Sequence, residues 1–192
     1  MGKGKCYFMK KKLFSLAVIC ICLSVVSAGT LAYYTANETA HNVITTGNVD
    51  IELLETTDDG TDFTNVTGVM PGTDVSKIVE VKNIGDNDAW IRVQVDKAIQ
   101  LAAGQTGEVD LNLLTIDYNT AEWTERDGFY YYNGVLAPQA KTEPLFTKVA
   151  FSGAMGNMYQ NSTASVYVYA QATQVDNNGE NVFEANGWPT KE

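Results

Sequence analysis

Few side chains in this sequence have the chemistry that catalysis requires. The 192-residue chain contains one histidine, His41, and no HExxH motif surrounds it. A catalytic zinc ion normally takes three protein ligands, and a Ser-His-Asp triad would also need this histidine. The sequence has no GxSxG motif and no phosphate-binding glycine loop. We therefore predict no catalytic residues and interpret His41 as a solvent-facing strand or linker residue.

The cysteines are confined to the start of the chain. Cys6, Cys20 and Cys22 all lie within residues 1–32, and residues 33–192 contain none. This distribution excludes a disulfide framework, a zinc–thiolate site and a cysteine nucleophile from the larger part of the chain.

Three acidic loops are candidate sites for a hard cation. They are Asp58, Asp59 and Asp62; Asp86 and Asp88; and Asp176, Asn178 and Glu180. Loop carboxylates can bind calcium, but none of these loops matches the twelve-residue pattern with glycine at position six and glutamate at position twelve. Solvated turn residues are the favoured interpretation, with calcium binding as the alternative, and we predict no metal and no cofactor.

The charge of the chain divides sharply along its length. Residues 1–32 contain five lysines and no acid, whereas residues 33–192 contain 8 Lys and Arg against 23 Asp and Glu, a net charge of −15. Because a surface rich in carboxylates repels phosphate, this composition argues against a nucleic-acid partner, and we predict none.

The first 32 residues are typical of an export signal. A basic stretch, Lys10, Lys11 and Lys12, precedes an apolar run of about 14 residues at 13–26. This run is shorter than the roughly 20 residues that span a bilayer. We predict a signal peptide over residues 1–32 and a secreted protein. An uncleaved membrane anchor is the alternative, and Met9 is an alternative start.

Two positions have the small residues that signal peptidases prefer. Cleavage between Ala32 and Tyr33 is our prediction, and cleavage after Ala28 is the alternative.

Beyond the signal, apolar residues recur with the period of two that is typical of half-buried strands. The pattern is present in residues 49–53, 75–82, 89–96, 129–132, 145–151 and 164–175. About eight short strands predict an all-β fold, a two-sheet antiparallel sandwich of jelly-roll type with little helix, occupying residues 33–192 as one domain. Residues 108–114 fit either a short helix or the entry to a strand.

Two turns and the tyrosines complete this prediction. Residues 84–88 and Asn133-Gly134 have the turn chemistry of hairpins. The many tyrosines on strands are ordinary β-forming residues in our interpretation, although a binding surface for sugar or protein is the alternative.

Several segments resemble the TasA/camelysin family of Gram-positive bacteria. The resemblance is strongest at GTLAYYT, residues 29–35, and at NVITTGNVDI, residues 42–51; MPGTDV at 70–75 and VKNIG at 81–85 also resemble the family. Membership implies a signal peptide removed by a dedicated SipW-type signal peptidase.

The resemblance implies functions of different classes. One is an extracellular fibre subunit of biofilm matrix, and another is the metalloendopeptidase activity assigned to camelysin. A non-fibrous adhesin or spore-coat-associated protein is a third. Because the sequence lacks a zinc-protease motif, we favour the fibre subunit, located in the extracellular matrix or at the cell surface. Its expected partners are copies of itself, sibling matrix subunits and the signal peptidase during export.

The segment that cleavage would free, residues 33–46, suggests how such a subunit assembles. It reads YYTANETAHNVITT and contains neither proline nor cysteine. We predict that it inserts as a strand into the next subunit, with Tyr34, Val43 and Ile44 filling side-chain pockets, as in donor-strand complementation. A disordered tail, or an ordinary first strand of its own domain, is the alternative.

Overall fold

A computed structural model describes residues 42–45, 49–64, 66 and 69–189. The chain divides into two compact units, Met1–Ala40 and His41–Glu192, and all described residues belong to the second. The predicted boundary at Ala32 therefore lies outside the described residues.

The second unit is built almost entirely from strands. They are β1 Asn42–Thr45, β2 Ile51–Thr56, β3 Asp74–Asn83, β4 Ala89–Gln100, β5 Leu114–Ile116, β6 Trp123–Arg126, β7 Phe129–Tyr132, β8 Phe146–Phe151 and β9 Thr163–Gln174. Short 3₁₀ helices occur at Leu111–Leu113 and Asn157–Tyr159. Within the described ranges no helix has the length and apolar character needed to cross a membrane. The predicted all-β class is confirmed.

The strands form two sheets. One has the order β1-β9-β4-β7-β6, and the other has the order β2-β3-β8-β5. The chain crosses between the sheets at most of its connections, as in sandwiches of jelly-roll type. The described strands pair antiparallel with one exception, β1, which runs parallel to β9. The two-sheet sandwich is confirmed, and the parallel edge strand is an addition to the predicted antiparallel pattern.

The core lies between the sheets and follows the predicted alternation. On β3, Val79 and Val81 are fully buried, and on β4, Ile91 and Val93 are fully buried. Removing a side chain of this size from water contributes roughly 1.5–3 kcal/mol. The alternation predicted for residues 164–175 is also confirmed, because alternate residues Val166, Val168, Ala170 and Ala172 contribute to the same core.

The hairpin predicted at residues 84–88 is wrong. These residues connect β3 and β4, which belong to different sheets. The buried side chain of Asn83 explains the crossing. Its Nδ2 donates to the carbonyls of Asn87 at 2.7 Å and Leu136 at 2.9 Å, while its Oδ1 accepts from the Gly85 amide at 3.0 Å. These bonds stabilise a crossover loop in place of a two-strand turn.

The hairpin predicted at Asn133-Gly134 is also wrong, because the turn occurs one strand earlier. β6 and β7 are joined by Asp127 and Gly128, whose φ angles of 53° and 80° are the pair of positive values that a type I′ turn needs. The Asn133 side chain instead accepts a hydrogen bond from the Thr124 hydroxyl at 2.7 Å and closes the far end of that hairpin.

Residues 108–114 combine both predicted alternatives in sequence. Asp110 accepts from the Asn112 amide at 2.9 Å and starts the 3₁₀ helix Leu111–Leu113, which leads directly into β5. The Lys97 ammonium donates to the carbonyls of Leu111 and Leu114, which fixes this junction against β4.

Candidate functional site

The short strand β1 occupies one edge of the five-stranded sheet. Its pairing with β9 runs in parallel from Asn42 opposite Tyr169 to Thr45 opposite Ala172. Two of the predicted donor residues, Val43 and Ile44, belong to this strand. Parallel ladders are slightly less stable per residue than antiparallel ones, and this one has only four residue pairs. β1 is therefore a short and weakly paired edge element.

The other residues predicted for processing or docking lie elsewhere in the chain. Ala32, Tyr33 and Tyr34 are outside the described residues, as is the chain's one histidine, His41.

β9, the strand that receives β1, pairs with described strands along the whole of one edge and along part of the other. β9 pairs with β4 along its whole length, from Gln100 opposite Thr163 to Ala89 opposite Gln174. On the opposite edge, β1 covers residues 169–172, and no described strand pairs with residues 163–168. An edge with unpaired N–H and C=O groups is a template for another strand. This edge is the candidate interaction site.

A C-terminal segment fixes the outward face of β9. Residues 175–189 follow β9 and cover Gln171 and Thr173, which are buried although they point away from the sandwich core. Gln171 Nε2 donates to the Pro189 carbonyl at 3.2 Å, and the Thr173 hydroxyl donates to the Asn186 carbonyl at 3.0 Å. β9 is thus supported on both faces at the position where β1 pairs with it.

Arg92 on β4 contacts both the C-terminal segment and the neighbouring strands. Its guanidinium lies 4.0 Å from the Phe129 ring centroid and 4.5 Å from that of Trp188, so it is held by two cation–π contacts. Its Nε donates to Gln171 Oε1 at 2.7 Å, and its Nη1 donates to the Tyr131 hydroxyl at 3.3 Å. Sequence reasoning missed this role; an arginine on the outward face of a strand, opposite aromatic residues, was the available signal.

A buried ion pair lies on core-facing positions of β2 and β3. Lys77 Nζ is 2.8 Å from Glu55 Oε2, and the two side chains are 4% and 5% exposed. The Phe63 ring covers the ammonium at 4.1 Å. Burial lowers the pKa of Lys77, although the charge of Glu55 opposes that change. At this separation the two buried charges compensate each other, as in a structural ion pair.

The acidic loops do not assemble a cation site in the described ranges. No group of three or more His, Cys, Asp or Glu side chains there comes together in a way that could hold a metal ion. In the first loop, hydrogen bonds from Thr57 and Thr61 lower the pKa of Asp59 to about 2. In the third loop, Asn178 donates to the carbonyls of Gln174 and Asn186. These donors and acceptors stabilise the turns of the two loops.

Three of the seven described tyrosines, Tyr118, Tyr130 and Tyr132, pack against the sandwich core. Tyr118 and Tyr130 stack with ring centroids 4.2 Å apart, and Trp123 packs on Tyr132 at 5.2 Å. Burial raises the pKa of Tyr118 well above its ordinary value. Tyr167 on β9, 49% exposed, is the largest exception. The interpretation as β-forming packing residues therefore holds for these buried rings.

Comparison with known proteins identifies a family. The family described as camelysin metallo-endopeptidase matches residues 8–112, more than half of the chain. Neither the curated proteins nor the solved structures gave a match. The family description implies a catalytic metal, which normally takes three protein ligands. The described residues do not fit such a group, because their His, Cys, Asp and Glu side chains form no cluster of that size.

Proposed function

The chain belongs to the camelysin metallo-endopeptidase family, and we propose that its own role is structural, as a secreted subunit of an extracellular fibre. The signal peptide over residues 1–32 directs it to the matrix or the cell surface. The observation that supports this role best is the pairing of β1 with an edge of β9 that extends six residues beyond it, at 163–168.

In the proposed mechanism, β1 of one copy occupies the β9 edge of the next. The ladder is the same whether β1 comes from its own chain or from a neighbour, so the exchange needs no new binding site. Main-chain hydrogen bonds supply the affinity, with Tyr34, Val43 and Ile44 as the side chains that fill pockets. Because the contact is head-to-tail, it does not close on itself and propagates into a filament.

The register of β1 also predicts what would pair with residues 163–168, where no described strand pairs on this edge. Asn42 pairs with Tyr169 in parallel, so continuing the same register towards the N-terminus aligns residues 36–41 with residues 163–168. The proposed donor, residues 33–46, is therefore long enough to cover the whole edge of β9. Sibling matrix subunits with an equivalent segment would use the same edge.

A cysteine experiment tests whether β1 docks between copies. Residues 33–192 contain no cysteine, so introduced thiols have no competitors. Asn42→Cys protein is mixed with Tyr169→Cys protein under mild oxidation, because directly paired strand residues have the Cα separation that a disulfide needs. We expect a disulfide between the two chains.

The matched control replaces Tyr169→Cys with Ser165→Cys, four residues away from the pairing position. We expect much less cross-linking in that mixture. If the mixtures do not react but the double variant Asn42→Cys/Tyr169→Cys closes a disulfide within one chain, β1 is an ordinary first strand of its own domain and the proposed assembly is wrong.

The peptidase activity in the family description is the second candidate function. Incubating the secreted protein with casein, with and without a chelator, separates the two candidates. We expect no chelator-sensitive cleavage. Cleavage that a chelator abolishes and that a His41→Ala variant lacks would favour the enzyme.

Processing gives a separate prediction. Cleavage between Ala32 and Tyr33 places small residues at the positions that signal peptidases prefer, and it frees the full donor segment. We expect N-terminal sequencing of secreted protein to begin Tyr33-Tyr34-Thr35. A start at Gly29 would instead assign cleavage to Ala28, and retention of the whole segment in the membrane fraction would indicate an anchor.

A further inference from the structure

The C-terminal segment builds a second hydrophobic cluster on the outside of the sheet. Val182 and Ala185 of this segment are buried against Trp90 of β4 and Tyr131 of β7, separately from the sandwich core. The Tyr131 ring also contacts Trp188 edge-on, with centroids 6.0 Å apart. The segment is therefore packed tightly against the sheet, as expected of an element with a structural role.

Its polar contacts are concentrated on β9. Besides the bonds from Gln171 to Pro189 and from Thr173 to Asn186, Asn178 Nδ2 donates to the Thr173 hydroxyl at 3.1 Å. Gln171 is 5% exposed and Thr173 is 3% exposed, so water does not replace these partners readily. Both bonded residues fall at the end of β9 where β1 pairs.

Gln171 contacts both β1 and the C-terminal segment. Its backbone lies opposite Ile44 of β1. Its side chain is fixed at both ends, since Oε1 accepts from Arg92 at 2.7 Å and Nε2 donates to Pro189 at 3.2 Å. A strand edge whose backbone is already held in its binding conformation loses less conformational entropy when a second strand pairs with it.

We propose that residues 175–189 form a clamp that holds β9 ready to receive β1, with Gln171 as the positioning residue that links the clamp to the docking edge. This inference rests on the proposed function only in one respect, that the docking β1 comes from another copy. It states which residues control docking at the β9 edge. Loosening the clamp weakens docking of β1 while the sandwich remains folded.

The test uses Gln171→Glu in the mixture of Asn42→Cys and Tyr169→Cys proteins. Glutamate keeps an acceptor for Arg92 but loses the donor to the Pro189 carbonyl. The initial rate of disulfide formation is measured together with the midpoint of thermal unfolding. We expect cross-linking about five- to tenfold slower, the equilibrium effect of roughly one hydrogen bond.

Val149→Ala is the matched control. Val149 lies on β8 in the other sheet and is buried in the sandwich core, outside residues 175–189 and outside the strand that receives β1. We expect this variant to unfold at a lower temperature and to cross-link at the unsubstituted rate. If cross-linking slows in both variants in proportion to the fall in their thermal unfolding midpoints, the cause is a general loss of stability and the clamp is wrong.

The same measurement separates this inference from the proposed function. If proteins that keep Gln171 form the disulfide only within one chain, exchange between copies is wrong. The effect of Gln171→Glu is then measured as the rate of disulfide formation within the Asn42→Cys/Tyr169→Cys chain. Unchanged rates in Gln171→Glu would overturn the clamp whether β1 docks within or between chains. If no disulfide forms in either arrangement, the pairing of β1 with β9 is itself wrong, and the clamp is wrong with it.

Discussion

Lys77 and Glu55 place opposite charges on the core-facing positions of two neighbouring strands. Desolvating an ion costs several kcal/mol, and close contact with a partner offsets that cost only in part. The 2.8 Å separation and the Phe63 ring over the ammonium provide that contact here. The pair is therefore far more sensitive to the loss of one partner than to the loss of both.

Substitutions at this pair make that asymmetry measurable. Lys77→Met alone leaves the Glu55 carboxylate buried without compensation, and we expect the free energy of unfolding to fall by about 3–5 kcal/mol. Lys77→Met/Glu55→Leu removes both charges, so its stability should lie within about 1–2 kcal/mol of the parent. Urea unfolding of the single and double variants provides the values. A double variant that loses at least as much stability as the single one contradicts this account.

Asp117 makes a pH-dependent contribution to the stability of the folded state. Although partial burial raises its pKa, hydrogen bonds from the Thr147 hydroxyl and from the amides of Thr147 and Lys148 outweigh burial and hold the pKa below its usual 3.8. The folded state thus favours the carboxylate, and the stabilisation is present above pH 3.8 and lost as the pH falls through the folded-state pKa.

We expect the stability difference between the parent and Asp117→Asn to be positive at pH 6 and to shrink towards pH 3. Because the carboxyl group is exposed, the difference should be modest, about 1 kcal/mol or less after solvent screening. Denaturant midpoints across pH 3–6 provide the comparison. A difference that stays constant over this range would show that the charge of Asp117 does not contribute.

At the scale of elements, sequence patterning predicted the long strands and also β2, β7 and β8, but it did not delimit β5 or β6. β3, β4 and β9 each have ten or more residues, enough for a period of two to be recognised. β6 has four residues, of which only Trp123 is buried, and β5 has three, so neither shows a pattern. The core-facing positions of Lys77 and Glu55 could be predicted from the alternation alone, because each residue lies on the apolar face of its strand.

Only part of the docking edge could be predicted from the sequence. The sequence indicated an extended segment containing Val43 and Ile44, but its pairing with a strand more than 120 residues later depends on the folded sheet. The C-terminal segment has no periodicity because turns, including Gly179 at φ 87°, build it. A Cβ at Gly179 would lie 3.0 Å from the backbone of Glu184, so the close approach also requires glycine.

Removing the donor segment tests its role as an element. Deleting residues 33–46 takes away one edge strand and leaves the core around Val79, Ile91 and Phe146 intact. We expect a monomer that still unfolds cooperatively but forms no filaments in electron micrographs. A synthetic peptide of residues 33–46 should bind the truncated protein saturably, whereas a scrambled peptide should not. Filaments of normal length from the truncated protein would contradict donor-strand assembly.

At the scale of the whole molecule, the dominant property is negative charge. Residues 33–192 have a net charge of −15, and surface pairs such as Lys141 with Glu80, at 2.7 Å, neutralise only a small part of it. Long-range repulsion between copies opposes association at neutral pH and low salt. If copies assemble as proposed, short-range strand docking has to overcome this repulsion.

Assembly should therefore accelerate when the repulsion is reduced in either of two ways. Lowering the pH towards 4 protonates carboxylates, whose ordinary pKa values lie near 4. Raising the salt concentration to about 1 M at pH 7 shortens the screening length from about 10 Å at 0.1 M to about 3 Å without protonating them. We expect light scattering to rise faster under both conditions than at pH 8 in low salt. Tryptophan fluorescence, to which the buried Trp90 and Trp123 contribute, reports whether the fold survives each condition. Equal rates from pH 4 to pH 8 and across salt concentrations, with the fold intact, would show that charge does not limit assembly.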